Sequence, residues 1–397
     1  MKPASRIHRP LAEAAADILR QVFRDGKVLD RALDRALAAN PRWGRRDRAF
    51  IAETACEVAR WRRALEFLAG APDVPALCAA QWTRMGLEIP AWWRHPGATP
   101  AEIRDREGAL GGQPRAIRES IPDWLDQLGR DELGPAWDAE IHALNRRAPV
   151  FLRVNTLLAT RDEAVAWLRA NQVHATPVAG LPDALVLPPG KLLPKPLRAD
   201  GRVEIQDAGS QLIAPMLDAR PGQYVIDACA GAGGKTLHLA ALMRNQGRIH
   251  AMDVNAAKLR ILESRARRAR ATCLVKTPVT ASTPAGHAAT ADRLLIDAPC
   301  SGLGTLRRQP DLKWRLTPDR LRRIRATQRD LLAAFQAMLR PGGRLVYATC
   351  SVLPSENRAA IAPLLETGAW SLAAESTVSP AATGFDGFYA AALDHTG

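Results

Sequence analysis

The chain has 397 residues, 47% of them hydrophobic and 24% charged, with a formal net charge of +14 at pH 7. That length holds two or three domains, and that apolar share excludes a disordered chain. No run approaches the ~18 uncharged apolar residues of a membrane span, and the cationic excess calls for a polyanionic partner, because Lys and Arg neutralise phosphates and release counterions. The cysteines, at 56, 78, 229, 273, 300 and 350, are scattered. They form neither a disulfide framework nor a paired metal-binding spacing, so no metal site is expected. A reducing, cytoplasmic setting is expected. Met1 to Pro10 is charged and lacks the apolar core of a leader, so no signal peptide is expected.

Residues 1–90 read as a helical domain. Leu11, Ala15, Ile18, Leu19 and Val22 share one helical face, and Leu29, Leu33 and Leu37 step by four. Arg42, Arg45, Arg46, Arg48, Arg60, Arg62 and Arg63 stud this region. A basic helical module of this kind either binds RNA or presents solvated arginines. Residues 91–145 read as a linker followed by a helical segment: Pro96-Gly97, Pro100, Gly108, Gly111-Gly112 and Pro114 punctuate 94–120, and 121–145 returns to a helical pattern.

Residues 146–220 change period and read as a small α+β module, RRM-like in outline. Val150 to Val154 is a strand and Arg161 to Asn171 a helix, with strands near 173–179, 184–187 and 203–206. From residue 221 to the end, short apolar strands alternate with helical runs, at Tyr224–Cys229, Arg248–Asp253, Arg293–Ala298 and Arg344–Thr349. This is the pattern of a doubly wound, mostly parallel α/β sheet.

The turn after the first of these strands reads Asp227-Ala228-Cys229-Ala230-Gly231-Ala232-Gly233-Gly234-Lys235-Thr236. A phosphate-binding loop needs a glycine where Cys229 stands, and a dinucleotide fingerprint needs one where Thr236 stands. A loop for S-adenosylmethionine needs a strand-end acid and a glycine turn that lets backbone approach a ligand without pyrophosphate, and Asp227 fits that acid. Asp253 ends the next strand, where an acid accepts from ribose hydroxyls or caps the following helix. Asp297-Ala298-Pro299-Cys300-Ser301-Gly302 and Ala348-Thr349-Cys350-Ser351 each follow an apolar strand. A lone buried Cys is usually a small hydrophobe, but two at strand ends, each followed by Ser, suit covalent catalysis. The residues alone do not say which thiol is activated. Arg307, Arg308, Lys313 and Trp314 follow Cys300 and combine the cations and the ring that RNA backbone contacts and base stacking use. Arg265, Arg267, Arg268 and Arg270 are read as a solvated helix end.

These motifs resemble those of the Sun/Nop-type RNA cytosine-5 methyltransferases, and within them the small-subunit ribosomal RNA methyltransferase B group. The resemblance runs through Val150-Phe-Leu-Arg-Val-Asn-Thr, Ile205-Gln-Asp-Ala-Gly-Ser-Gln, Gly304-Thr-Leu-Arg-Arg-Gln-Pro-Asp-Leu-Lys-Trp, Thr349-Cys-Ser-Val-Leu-Pro-Ser-Glu-Asn and Gly384-Phe-Asp-Gly-Phe-Tyr-Ala. It implies a Rossmann-like catalytic domain over 221–397 and, more weakly, a NusB-like RNA-binding domain over 1–90. It also implies S-adenosylmethionine as cofactor and RNA as partner, 16S rRNA or an assembling small subunit; a monomer is the expected state, though nothing in the motifs specifies it. By the same resemblance Cys350 is the nucleophile on C6 of cytosine, Cys300 assists proton loss at C5 and release, and Asp297 orients the base or the cofactor. The backbone of Cys229, Ala230, Gly231, Ala232, Gly233 and Gly234, with Lys235, would hold the methionine end, and Asp253 the ribose.

The chain departs from that pattern twice. Ala232 stands where the family usually has Pro. Thr272 to Ala291 contains no Asp or Glu for the adenine, so Thr280 or Ser282 is the expected substitute. Two rivals stay open: the same chemistry on tRNA, and a non-catalytic RNA-binding assembly factor, for which neither thiol would be needed. An amine methyltransferase is disfavoured, because its usual Asn/Asp-Pro-Pro-aromatic motif is replaced by Asp297-Ala298-Pro299-Cys300.

Overall fold

The computed structural model describes residues 7–280 and 282–396; the opening of the Met1–Pro10 stretch lies outside the described residues. The chain forms two units, Met1–Arg146 with Leu306–Pro318, and Arg147–Thr305 with Asp319–Gly397.

The first unit is helical, with helices at Arg9–Phe23, Leu29–Ala39, Arg45–Arg60, Arg62–Ala69 and Val74–Arg84. The face predicted from Leu11, Ala15, Ile18, Leu19 and Val22 is buried, and Leu29 and Leu33 join it in one core. The stretch 94–120 is more ordered than its prolines and glycines suggest. It carries a helix at Pro100–Ala109, started by a Thr99–Glu102 capping box with Pro at the first helical position. Three of the arginines read as either solvated or RNA-binding make contacts within the unit. Arg60 is buried and donates to the Arg307 carbonyl (3.1 Å), Arg62 lies over the rings of Phe23 and Trp314, and Arg63 pairs with Asp123 at 2.7 Å.

The segment 306–318 belongs to this unit, and two of its four residues expected to contact RNA, Arg307 and Lys313, are buried. Lys313 is 1% exposed, its ammonium bonded to the Arg60 carbonyl (2.8 Å) and Asn145 Oδ1 (2.9 Å). Burial and the neighbouring Arg60 pull it well below the usual lysine range. Trp314 donates its indole N–H to the Ala59 carbonyl. Arg307 is buried and Arg308 half-buried. The sequence shows a mixture of cations and a ring, but not that helix ends with open carbonyls claim their donors.

The second unit opens with β1 (Phe151–Val154), β2 (Thr176–Pro177), β3 (Ala184–Val186) and β4 (Val203–Ile205). They form an antiparallel sheet in the order β2-β3-β1-β4. A capping-box helix, Arg161–Ala170, covers it. A helix at Lys195–Asp200 was not expected. The main sheet comprises β5 (Tyr224–Asp227), β6 (Arg248–Asp253), β7 (Leu274–Pro278), β8 (Ala291–Asp297), β9 (Leu339–Thr349), β10 (Trp370–Val378) and β11 (Phe388–His395). Its order is β10-β11-β9-β8-β5-β6-β7, with β7, β6, β5, β8 and β9 parallel and β11 and β10 antiparallel. Apolar side chains on both faces of the strands are buried in two clusters, one per face.

In the run Arg265 to Arg270, Arg267 and Arg270 are exposed as expected of a solvated helix end, but Arg265 and Arg268 are not. Glu204 of β4 is buried and receives Arg265 (2.9 Å) and Arg268 (2.6 Å). Arg265 also donates to the Ala232 carbonyl at 2.8 Å. A guanidinium with several fixed donors can bridge a buried carboxylate and a backbone carbonyl at once, and here it ties the small sheet to the glycine turn.

Candidate active site

The carboxyl ends of β5, β6, β8 and β9 face one place. The β8–β9 register sets Asp297 beside Ala348, and Gly304 N–H bonds the Cys350 carbonyl at 3.0 Å. A side chain at Gly304 would put a Cβ 2.0 Å from the Gly387 carbonyl. Only glycine therefore lets the Gly384–Ala390 motif close against the cysteine loops.

The turn after β5 is held by its own acids. Gly233 has φ +89°, a backbone that favours glycine, and a Cβ there would meet the Leu262 side chain at 2.1 Å, so a larger residue would also have to displace Leu262. Gly231 N–H bonds Asp253 Oδ2 (2.9 Å), and Asn255 N–H bonds Asp253 Oδ1 (2.7 Å). Thr236 Oγ1 donates to Asp227 Oδ2 at 2.6 Å, while Asp227 Oδ1 is buried with no hydrogen-bond partner. Burial pushes the Asp227 carboxyl up to about 7; the Thr236 bond opposes the rise and the Asp297 charge adds to it.

Two adjoining cavities lie over this turn, sharing Cys229, Lys258 and Asp297. One, of about 280 Å³, is polar and is lined by Gln206, Ser210, Asp227, Cys229 to Ala232, Gly234 and Lys235. The other, of about 230 Å³, joins Asp253 to an apolar wall of Val254, Val279, Leu331 and Phe335. A ligand with a flat apolar end, a vicinal diol and an ammonium matches this sequence of surfaces. The wall would take the base, Asp253 the diol, and the orphaned Asp227 oxygen the ammonium. S-adenosylmethionine has these parts, so the residues fit it.

Lys235 lines the polar cavity, but its ammonium is paired with Asp297 at 2.6 Å. Burial works against that charge, but Asp297 and Cys350 outweigh it and hold Lys235 above its ordinary value. Cys300 Sγ and Cys350 Sγ are 3.3 Å apart. The bond to Cys350, burial and the Glu356 carboxylate all keep the Cys300 proton on, well above the usual thiol range. Asp227, Asp253, Asp297, Cys229 to Lys235, Cys300 and Cys350 are thus gathered in this unit. Lys313 and Trp314 are not among them. Thr280 and Ser282 face one another at 3.1 Å, and Val279 forms the wall instead. Sequence reasoning missed Gln206, Ser210, Lys258 and Glu356 as site residues. The quoted segments from Ile205 and from Thr349 contain all but Lys258, yet no spacing gives their roles.

Residues 214–394 match the family described as 16S rRNA methyltransferase RsmB/F, and residues 121–190 its ferredoxin-like domain. A ribosomal RNA small subunit methyltransferase B of Vibrio cholerae is 36% identical over 310 residues, 73% of this chain and 69% of that protein. A probable ribosomal RNA small subunit methyltransferase B of Synechocystis is 37% identical over 261 residues; the match spans 62% of this chain but only 56% of that protein. A crystal structure of a methyltransferase homolog protein from Pyrococcus horikoshii superimposes with a TM-score of 0.64 at 26% identity, covering 71% of this chain and 97% of that one. Among the described residues no helix is long and apolar enough to cross a membrane.

Proposed function

Because the chain belongs to the 16S rRNA methyltransferase RsmB/F family, we propose that it methylates C5 of a cytosine in RNA, with small-subunit ribosomal RNA as substrate. The observation that carries the cytosine chemistry is the pair of thiols 3.3 Å apart at neighbouring strand ends, beside the cofactor-shaped cavities. Transfer to an amine would need neither sulfur.

S-adenosylmethionine supplies an electrophilic methyl group. The chain's residues do the rest. Asp253 and Asp227 bind the two polar ends, and the wall around Val279 and Phe335 excludes water from the base. Lys235, paired with Asp297 at 2.6 Å, keeps its positive charge at the polar cavity. Cys350 adds to C6, the C5–C6 double bond opens, and C5 becomes the nucleophile. After methylation C5 carries both a methyl and a proton. The C5 proton is lost to water with Cys300 assisting at that carbon, and the electron pair left behind expels the Cys350 thiolate from C6. The cytosine must leave its stack, since C5 and C6 are reached from the ring face. The +14 charge supplies a salt-sensitive attraction to the RNA backbone.

Bisulfite mapping of total RNA from cells with and without the gene tests this. We expect a protected cytosine in small-subunit rRNA that becomes convertible when the gene is removed. A protected cytosine in tRNA instead would keep the chemistry and change the substrate, and identical maps would end the proposal. A second test addresses the cofactor. Asp253→Ala should weaken S-adenosylmethionine binding at least about tenfold, because a charge-assisted bond is worth roughly 1.5–3 kcal/mol and the Gly231 and Asn255 N–H groups also lose their acceptor. Calorimetric affinity within twofold of the parent would remove Asp253 from the site.

A further inference from the structure

The sequence motif after Cys350 ends in Glu356-Asn357, and the chemistry above uses neither residue. Glu356 is fully buried, with 0% of its surface exposed. No cation pairs with its carboxylate among the described residues; hydrogen-bond donors alone satisfy it. Ser301 N–H bonds Oε1 at 2.7 Å, and the Ser301 hydroxyl bonds Oε2. The Ser351 hydroxyl bonds Oε2 at 2.6 Å, and Gln328 Nε2 bonds Oε1 at 3.2 Å while also reaching the Pro299 carbonyl. Ser301 directly follows Cys300, and Ser351 directly follows Cys350. The two serine hydroxyls are also 3.3 Å from one another. The far side is anchored as well: Tyr347 of β9 donates its hydroxyl to the Glu356 carbonyl, and Asn357 bonds Thr349 Oγ1 and the Ser351 carbonyl.

We infer that Glu356 is a positioning residue whose single carboxylate ties the Cys300 loop to the Cys350 loop and so sets the spacing of the two sulfurs. The inference rests on the reading of those thiols as the reacting pair, but its geometric part does not depend on RNA. A buried carboxylate is costly unless its lone pairs are filled. Here the donors that fill them come from both catalytic loops, so neither loop moves without exposing an unsatisfied charge. That rigidity is what two consecutive steps on adjacent ring carbons require, because each sulfur must keep its place while the other acts. The same negative charge lies among the groups that keep Cys300 protonated, which suits a thiol that must not compete with Cys350 for C6.

The test reads the spacing directly. Diamide oxidises a thiol pair to a disulfide. Each sulfur loses a proton and an electron, the S–S bond forms, and the diazene is reduced to its hydrazine. The parent should cross-link Cys300 to Cys350 readily, as read by peptide mass. Glu356→Ala should cross-link at least tenfold more slowly and lose at least a hundredfold in methyl-transfer kcat, while its Kd for S-adenosylmethionine stays within threefold. Glu356→Gln keeps the shape and part of the bonding, so it should recover most of the cross-linking rate but move the pH midpoint of Cys300 alkylation downwards. If Glu356→Ala does not fold, Ser351→Ala removes only the tie to the Cys350 loop and should also slow cross-linking at least threefold. Cross-linking and kcat within twofold of the parent in the folded variants would overturn the assignment. If no variant, including the parent, methylates RNA, the functional reading fails while the cross-linking arm still decides the positioning role.

Discussion

Cys350→Ala should abolish methyl transfer and form no covalent RNA complex, whereas Cys300→Ala should attack, transfer methyl and stall. The stalled species should persist as a protein–RNA band on a denaturing gel. The two variants differ because the two steps ask different things of sulfur. Attack on C6 needs a sulfur nucleophile, and Cys350 follows the end of β9 beside the end of β8 that carries Asp297 and its partner Lys235. Removing the nucleophile from a covalent mechanism costs at least about 10³–10⁴-fold in kcat. Elimination needs a proton acceptor at C5, and the 3.3 Å between the sulfurs lets Cys300 reach the carbon next to the one Cys350 holds. The opposite pattern, an adduct with Cys350→Ala and none with Cys300→Ala, would exchange the roles. Parental activity in both would leave the thiols as packing.

Strand-end motifs were the most legible part of the chain. A parallel strand buried on both faces writes itself as an apolar run, and the residue that follows it must face the site, so Asp227, Asp253, Asp297, Cys300 and Cys350 stand out from sequence alone. Charged residues were far less legible, because charge says nothing about who claims it. Lys313 and Arg60 look like phosphate ligands in the sequence, yet they satisfy buried carbonyls inside the helical unit. Arg265 and Arg268 look solvated, yet they close on Glu204 across more than sixty residues of chain. Glu356 illustrates the same limit from the other side. It lies in a motif specific enough to suggest the family, but its role depends on Ser301 lying within reach, and only the β8–β9 register brings the two loops together.

Affinity for S-adenosylmethionine should rise about tenfold per pH unit from pH 5 to 6.5, level off near 7, and fall again as the ligand's own amino group, with a pKa of about 7.7–8.0, loses its proton. The rising limb belongs to Asp227. Its carboxyl is pushed up to about 7, first by burial and with Asp297 adding to it, and its free oxygen has no partner in the protein. An ammonium binds the ionised form, so each unit below the folded value removes about a factor of ten from the competent population. The consequence for stability has the opposite sign. An acid whose folded pKa lies above its unfolded value stabilises the fold while protonated, and that contribution is lost as pH rises through about 7. The unliganded protein therefore carries a penalty near pH 7.5 that the bound cation removes, and the rise in Tm on adding cofactor should be larger at pH 7.5 than at pH 6. Asp227→Asn, neutral and of the same shape, separates the two effects. It should be at least as stable as the parent without ligand, yet bind S-adenosylmethionine roughly a hundredfold more weakly at pH 7.5, and the rising limb should vanish. A variant that keeps both the affinity and the pH slope would show that the ammonium is held elsewhere in the polar cavity, with Gln206 and Ser210 the groups left to hold it.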